Sequence, residues 1–313
     1  PCYLRRRRRT DPPEPEKCRS PVGRQYIHHV WGFSLGVAAF TVQPLWWHYK
    51  YEPSREFLEK TAYPVVRDIA DFQANFIDVC EKTEDGKIVL APTVSPEHWG
   101  WTKRFERNRN CAFCLGMFRY MFAAAIEGAE TLGCDADKVA RWKNAVTLLP
   151  DYPLSGDEPP VVVDVQGAPP IGYNISVPAT PVFPGDVVSI WSPAAQQELF
   201  SRTVGGLRWN GNNAAIMLSV SRARLSMSET LPWMREELTA RLRPNGTLTL
   251  NRNEPRFGFN SFGHYTEQFA ASMAINELLL QSVADVVRVF PAWPLDRPAC
   301  FRQFRAQGGF LVS

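Results

Sequence analysis

The feature of this 313-residue sequence that most restricts its fold is an alternation along the chain between helical segments apolar nearly all round and segments apolar on one side only. From Val30 to Tyr51, Trp31, Leu35, Ala38, Val42, Leu45 and Tyr49 recur at steps of three and four, which makes one helical stripe. Phe33, Val37, Phe40 and Trp47 occupy the other side, so this helix is expected to be buried. Its partner, 54–82, has Ser54 as N-cap and Pro64 in a first-turn position. There Val66, Ile69, Phe72, Phe76 and Cys80 oppose Arg67, Asp68, Asp71 and Asp78, the pattern of an outer helix. The same alternation predicts further helices at 112–133, 135–149, 194–207, 213–225, 228–242 and 269–282, eight in all. The first has the length of a membrane span, but Gln43, Pro44 and His48 lie inside it and each burdens a lipid-facing helix, so no span is expected.

Two long Pro/Gly/Asn-rich connections, 150–193 and 243–268, interrupt the hairpins; loops of this length inside a compact domain are usually functional. After Ser282 the pattern changes to "DVVRVFPAWP" and "ACFRQFRAQGGFLVS", β-rich and punctuated by glycine. The expected organisation is a disordered basic tail at 1–25, a helical-hairpin domain at 26–282 and the start of a small β-domain at 283–313. Both ends are read as cut from something larger, since the chain starts at Pro1 rather than Met.

The basic character is confined to the tail. Residues 1–25 hold eight Lys/Arg against three acids, whereas the remainder holds 27 bases and 29 acids. "RRRRRTDPPEPEK" has too little apolar surface to offset its own ordering entropy, and the body lacks the clustered positive field that nucleic acid requires. Seven cysteines cannot all pair. The Cys111-x-x-Cys114 motif has no second CxxC or His pair at zinc spacing and opens an apolar helix, so it is read as packed free thiols. No metal and no cofactor is expected.

The stretches "TVQPLWWHYKYEPSREFLEKTAYPVVRDIADF", "APTVSPEHW", "AAIEGAETLGCDADKVARW" and "AINELLLQSVADVVRVFPAWP...FRAQGGFLV" occur in that order. Together they resemble the catalytic region of glycoside hydrolase family 95, the inverting α-L-fucosidases and α-L-galactosidases, over about residues 26–313. The resemblance is strong at those stretches and weak between 150 and 265. It implies a mainly α fold, the (α/α)6 toroid of six-hairpin glycosidases, partial here, followed by the first strands of a C-terminal β-domain. It also implies an oligosaccharide or glycoconjugate as substrate and a secreted or periplasmic setting. Eight helices are fewer than twelve, and no counterpart of the family's water-positioning Asn-x-Asn segment precedes His28. The chain is therefore expected to lack the first hairpins or to be a degenerate relative, in which case a carbohydrate-binding role without catalysis is the alternative.

Glu97 has two readings. From the residues alone, Ser95 caps a short helix with Pro96 at its first position and Glu97 favoured by the helix dipole. From the resemblance, Glu97 is the Glu of a Ser-Pro-Glu motif that protonates the departing glycosidic oxygen. His98, Trp99 and Trp101 follow at once, and the two indoles offer flat apolar faces on which sugar rings pack. An inverting reaction needs a second carboxylate about 6.5–9.5 Å away. The family's base is an Asp just before the "AINELLLQS" helix; Thr266 stands there in this chain, and its neighbour Glu267 is the candidate base, with a plain first-turn acid as the alternative. His264 and His28 are further substrate-binding candidates. The Phe183-Pro184-Gly185 turn is present without the histidines that precede it in the family, which leaves the sugar open, and "NGNN" at 210–213 reads first as a turn.

Overall fold

A computed structural model describes residues 34–96, 98–170, 176–207, 212–249, 252 and 265–313. Among them, all eight expected helical segments are present. α1 is Val37–Tyr51. Ser54 caps α2 (Arg55–Phe57) by accepting the Phe57 N–H at 3.2 Å. α2 continues through one π-turn, Leu58–Ala62, into α3 (Tyr63–Asp78), and Pro64 stands at the second position of α3. The wide turn before it absorbs the amide that proline lacks. The later helices are α4 (Ala112–Leu132), α5 (Ala136–Leu148), α6 (Ala194–Gly206), α7 (Asn212–Arg224), α8 (Thr230–Thr239) and α9 (Tyr265–Leu279).

The last helix ends earlier than its apolar pattern predicts. Residues 280–282 belong to β1 (Leu280–Val283), which pairs antiparallel with β2 (Val286–Val289) in the register Leu280↔Val289 to Val283↔Val286. A second short ladder joins β3 (Phe304–Arg305) to β4 (Leu311–Val312). An apolar run of this length fits a helix end and a buried strand equally well, and tertiary pairing decides.

Burial corrects two further expectations. α1 is not buried all round: Ala39, Gln43 and Trp46 form its buried stripe, while Val37 and Phe40 stay 45% and 47% exposed. The helix buried on nearly every side is α4, flanked by α1, α3, α5 and the short helical turn at Val177–Ala179. α4 is also long and apolar enough to cross a membrane, yet 78% of that window is covered by the protein itself, as in a core helix. In α3 the buried stripe runs through Tyr63, Val66, Ala70, Gln73, Ala74 and Ile77, and Phe72 lies half exposed beside Phe76. Periodicity gave an apolar arc, and the neighbouring helices selected which edge of it to cover.

α1 and α4 share a direction, as do α7 and α9. At their C-terminal ends Lys50 of α1 donates to Glu127 of α4 at 2.7 Å, and Arg224, the last residue of α7, forks onto Glu277 of α9 at 2.9 and 3.1 Å. Tyr51, closing α1, lies within electrostatic reach of Glu277, Arg224 and Asp186, so the two pairs meet there. At the opposite end Ser34 approaches Cys114 in the first turn of α4, and Gly36 packs against Phe113. α3 runs back along α4 from Tyr63, whose ring packs on Gly128 and whose hydroxyl donates to Asp135 at 2.7 Å. α5 is fixed to α3 by Trp142, which donates to Asp71 at 3.1 Å. Parallel inner helices backed by antiparallel outer ones are the arrangement of a partial helical toroid.

The 183–186 turn is packed into this centre: Gln43 donates to the Pro184 carbonyl at 2.6 Å and Arg224 lies over the Phe183 ring. A Cβ on Gly185 would stand 2.6 Å from the Thr180 carbonyl oxygen and 3.1 Å from Pro181 Cα. Both are backbone atoms that cannot swing aside. Gly185→Ala is therefore expected to cost about 1–3 kcal/mol in chemical denaturation, whereas Gly156→Ala, with nothing within 4 Å of the added carbon, should be near neutral.

Candidate active site

The N-terminal ends of α1 and α4 lie together and present unpaired backbone N–H groups and the positive ends of helix dipoles, which suits a site where negative charge develops. The α3–α4 connection is laid across this end, with Thr93 reaching Cys114 at 3.2 Å and the Leu35 N–H at 3.4 Å. None of the described residues 93–102 is helical, and the first turn after them is the short one at Lys103–Phe105. Ser95 therefore caps no helix. Its hydroxyl instead donates to Asp164 Oδ2 at 3.1 Å, so the capping reading of the Ser-Pro-Glu stretch is corrected.

Two buried polar residues hold this loop. Asn108 donates to the carbonyls of Thr93 and Gly100 at 3.0 and 2.9 Å and accepts from the N–H and hydroxyl of Thr102 at 2.9 and 2.8 Å. Asp164 Oδ2 meets both Ser95 Oγ and His98 Nδ1. Asp164 is itself placed from both sides: its carbonyl accepts the Ala112 N–H at 2.8 Å, at the first position of α4, and the 153–163 stretch before it is closed by the Leu154↔Val162 bridge. Asp164 Oδ1 is buried and has no partner among the described residues.

The expected site residues separate into three groups. Glu97, His264 and His28 lie outside the described residues. Glu267 belongs to the first turn of α9, and its side chain lies outside the described residues. His98, Trp99 and Trp101 are described. The His98 ring is buried on Asp164 rather than presented to solvent. Trp99 is partly buried against the core with the Arg107 guanidinium 4.3 Å over its ring, so one face is already occupied. Trp101 is half-buried and edge-on to Phe105, with centroids 5.4 Å apart.

Cys111 and Cys114 are buried free thiols, as expected. Burial pushes the Cys111 thiol well up. It pushes Cys114 up as well, but hydrogen bonds from Cys111, Thr93, the Gly36 N–H and Ser34 outweigh burial and bring Cys114 down to about 7. Among the described residues no group of three His, Cys, Asp or Glu side chains is placed to hold a metal ion.

Sequence reasoning missed Asn108 and Asp164. The signal for the acid was available, since Asp164 interrupts the apolar run "VVVDV" and a charge in such a run is usually buried with a partner. Asn108 sits in "ERNRN" and looks like part of a solvated charged segment.

Residues 18–158 match the family model of the glycosyl hydrolase family 95 catalytic domain. Over 305 residues the chain is 24% identical to alpha-L-fucosidase 2 of Arabidopsis thaliana, an alignment that covers 91% of this chain and 34% of that protein. The resemblance drawn from the sequence is thus borne out, and the chain spans about a third of the length of the curated relative it matches.

Proposed function

We propose that this chain contributes the catalytic region of a glycoside hydrolase that removes a terminal α-linked sugar of the fucose or galactose type with inversion. Glu97 is the general acid: its proton passes to the departing glycosidic oxygen as the C1–O bond breaks. Glu267 is the general base: it takes a proton from a water whose oxygen bonds to C1 from the opposite face. The products are the free alcohol and the sugar with its anomeric configuration inverted. Trp99, Trp101, His264 and His28 are assigned to the sugar. His98 supports the loop from behind.

The observation that carries this reading is the fixing of the residues on both sides of Glu97, Ser95 and His98, by one buried carboxylate at the N-terminal end of the parallel helices. A proton donor gains from such pre-organisation because the geometry need not be assembled at the moment of bond cleavage. Glu267 stands in the first turn of α9. Proton NMR during hydrolysis of an α-L-fucosyl oligosaccharide tests the proposal. The β-anomer of fucose is expected to appear first. Initial release of the α-anomer removes the inverting mechanism, and retention of sugar binding without any turnover transfers the chain to the carbohydrate-binding alternative.

A further inference from the structure

Asp164 lies 67 residues beyond Glu97 in sequence, yet its side chain is built into the Ser95–His98 loop. Its side chain and that of His98 are each only 1% exposed. Ser95 is fully buried. One oxygen, Oδ2, receives the Ser95 hydroxyl and faces His98 Nδ1, so a single atom ties down the second residue before Glu97 and the residue after it. The main chain of Asp164 is bonded to the first residue of α4. A displacement of the loop relative to α4 must therefore break a buried charge-assisted contact. Asn108 holds Thr93, Gly100 and Thr102, whereas Asp164 meets the residues on either side of Glu97.

We propose that Asp164 is a positioning residue for the reaction, acting through Ser95 and His98, which flank Glu97 in the chain, and that His98 is a clamp contact rather than a sugar ligand. The inference rests on the reading of Glu97 as general acid. Its chemical content is the placement of an oxygen acceptor, so Asn, whose amide oxygen can take the place of Oδ2, should replace Asp, whereas Leu, of comparable size and without an acceptor, should not. A misplaced proton donor harms departure of a poor leaving group and spares an activated one, because the activated group leaves without a proton.

The test is steady-state kinetics of the full chain on an α-L-fucosyl oligosaccharide and on an activated aryl α-L-fucoside, for Asp164→Leu and Asp164→Asn. Asp164→Leu is expected to lower kcat on the oligosaccharide at least about 10-fold, with KM little changed and the aryl fucoside cut within about threefold of the wild-type rate. Asp164→Asn should recover most of the loss. Equal losses on both substrates, an Asn variant as poor as Leu, or no loss in either variant overturns the proposal. Should Asp164→Leu fail to fold, Ser95→Ala and His98→Ala remove one clamp contact each, and the same contrast between the two substrates decides. If the wild-type chain cuts neither substrate, the functional reading fails by itself, and amide hydrogen exchange then judges the clamp: faster exchange across 94–102 in Asp164→Leu with α4 unchanged supports it, and unchanged protection overturns it.

Discussion

Glu97→Gln is expected to lower turnover of an α-L-fucosyl oligosaccharide by about 10²-fold or more while leaving the thermal midpoint where it was. Gln keeps the volume and the polarity of the side chain and removes the transferable proton. The leaving alkoxide of an oligosaccharide is a strong base that cannot depart unprotonated, so the whole loss falls on the glycosidic cleavage step. An activated aryl fucoside needs no proton and should be affected far less. The competing interpretation of Glu97 as a helix-capping acid made the reverse prediction, a loss of about 0.3–1 kcal/mol of stability with catalysis intact. That interpretation required a helix opening at Ser95. No described residue from 93 to 102 is helical and the Ser95 hydroxyl is given to Asp164, so no helix opens there for Ser95 to cap. Unchanged rates on both substrates would place the acid elsewhere.

The substitution is informative because it separates what could be read along the chain from what could not. Helix positions were legible, since a stripe at steps of three and four is a local property. Which helix forms the centre was not: α1 and α4 are both apolar nearly all round, and only the presence of α3, α5 and the 177–179 turn around α4 makes it the buried one. The Ser-Pro-Glu stretch was legible through the family resemblance, but its support was not, because Asp164 and Asn108 act across loops and carry no periodic signature. Asp164 leaves a trace as a polar interruption of an apolar run, whereas Asn108, inside "ERNRN", leaves none. Arg222 and Arg224 within "SVSRARL" are of the first kind, and Arg224 leads to the second large expected effect.

Arg224→Met is expected to destabilise the protein by about 3–5 kcal/mol near neutral pH. The guanidinium is 6% exposed and meets Glu277 of α9 through two hydrogen bonds and Asp186 beside the Gly185 turn. Two buried carboxylates share one cation, so removing it leaves both without compensation. In the wild-type protein burial already pushes the Asp186 carboxyl up to about 6, against the opposing pull of Arg224. A carboxyl raised above its unfolded value holds its proton more tightly in the fold, so its contribution to stability is greatest at low pH and is lost as pH rises from about 4 through 6. Met at 224 removes the opposing pull, which raises Asp186 further and extends that loss toward higher pH. The deficit of Arg224→Met should accordingly be small near pH 5 and large near pH 8 in urea titrations. A variant in which Met replaces Arg224 and Leu replaces both Asp186 and Glu277 should recover most of the stability, because an apolar cluster of similar volume incurs no charge desolvation. A deficit below about 1 kcal/mol at pH 8 would show that the three groups are held together by the packing around them rather than by charge. The effect also reaches the proposed chemistry. Arg224 and Glu277 register the C-terminal ends of α7 and α9, and a parallel helix that slips at one end carries its other end with it. Glu267, proposed as the general base and in the first turn of α9, should therefore shift when that fork is cut, and the activity of Arg224→Met should fall even at a pH where the variant remains folded.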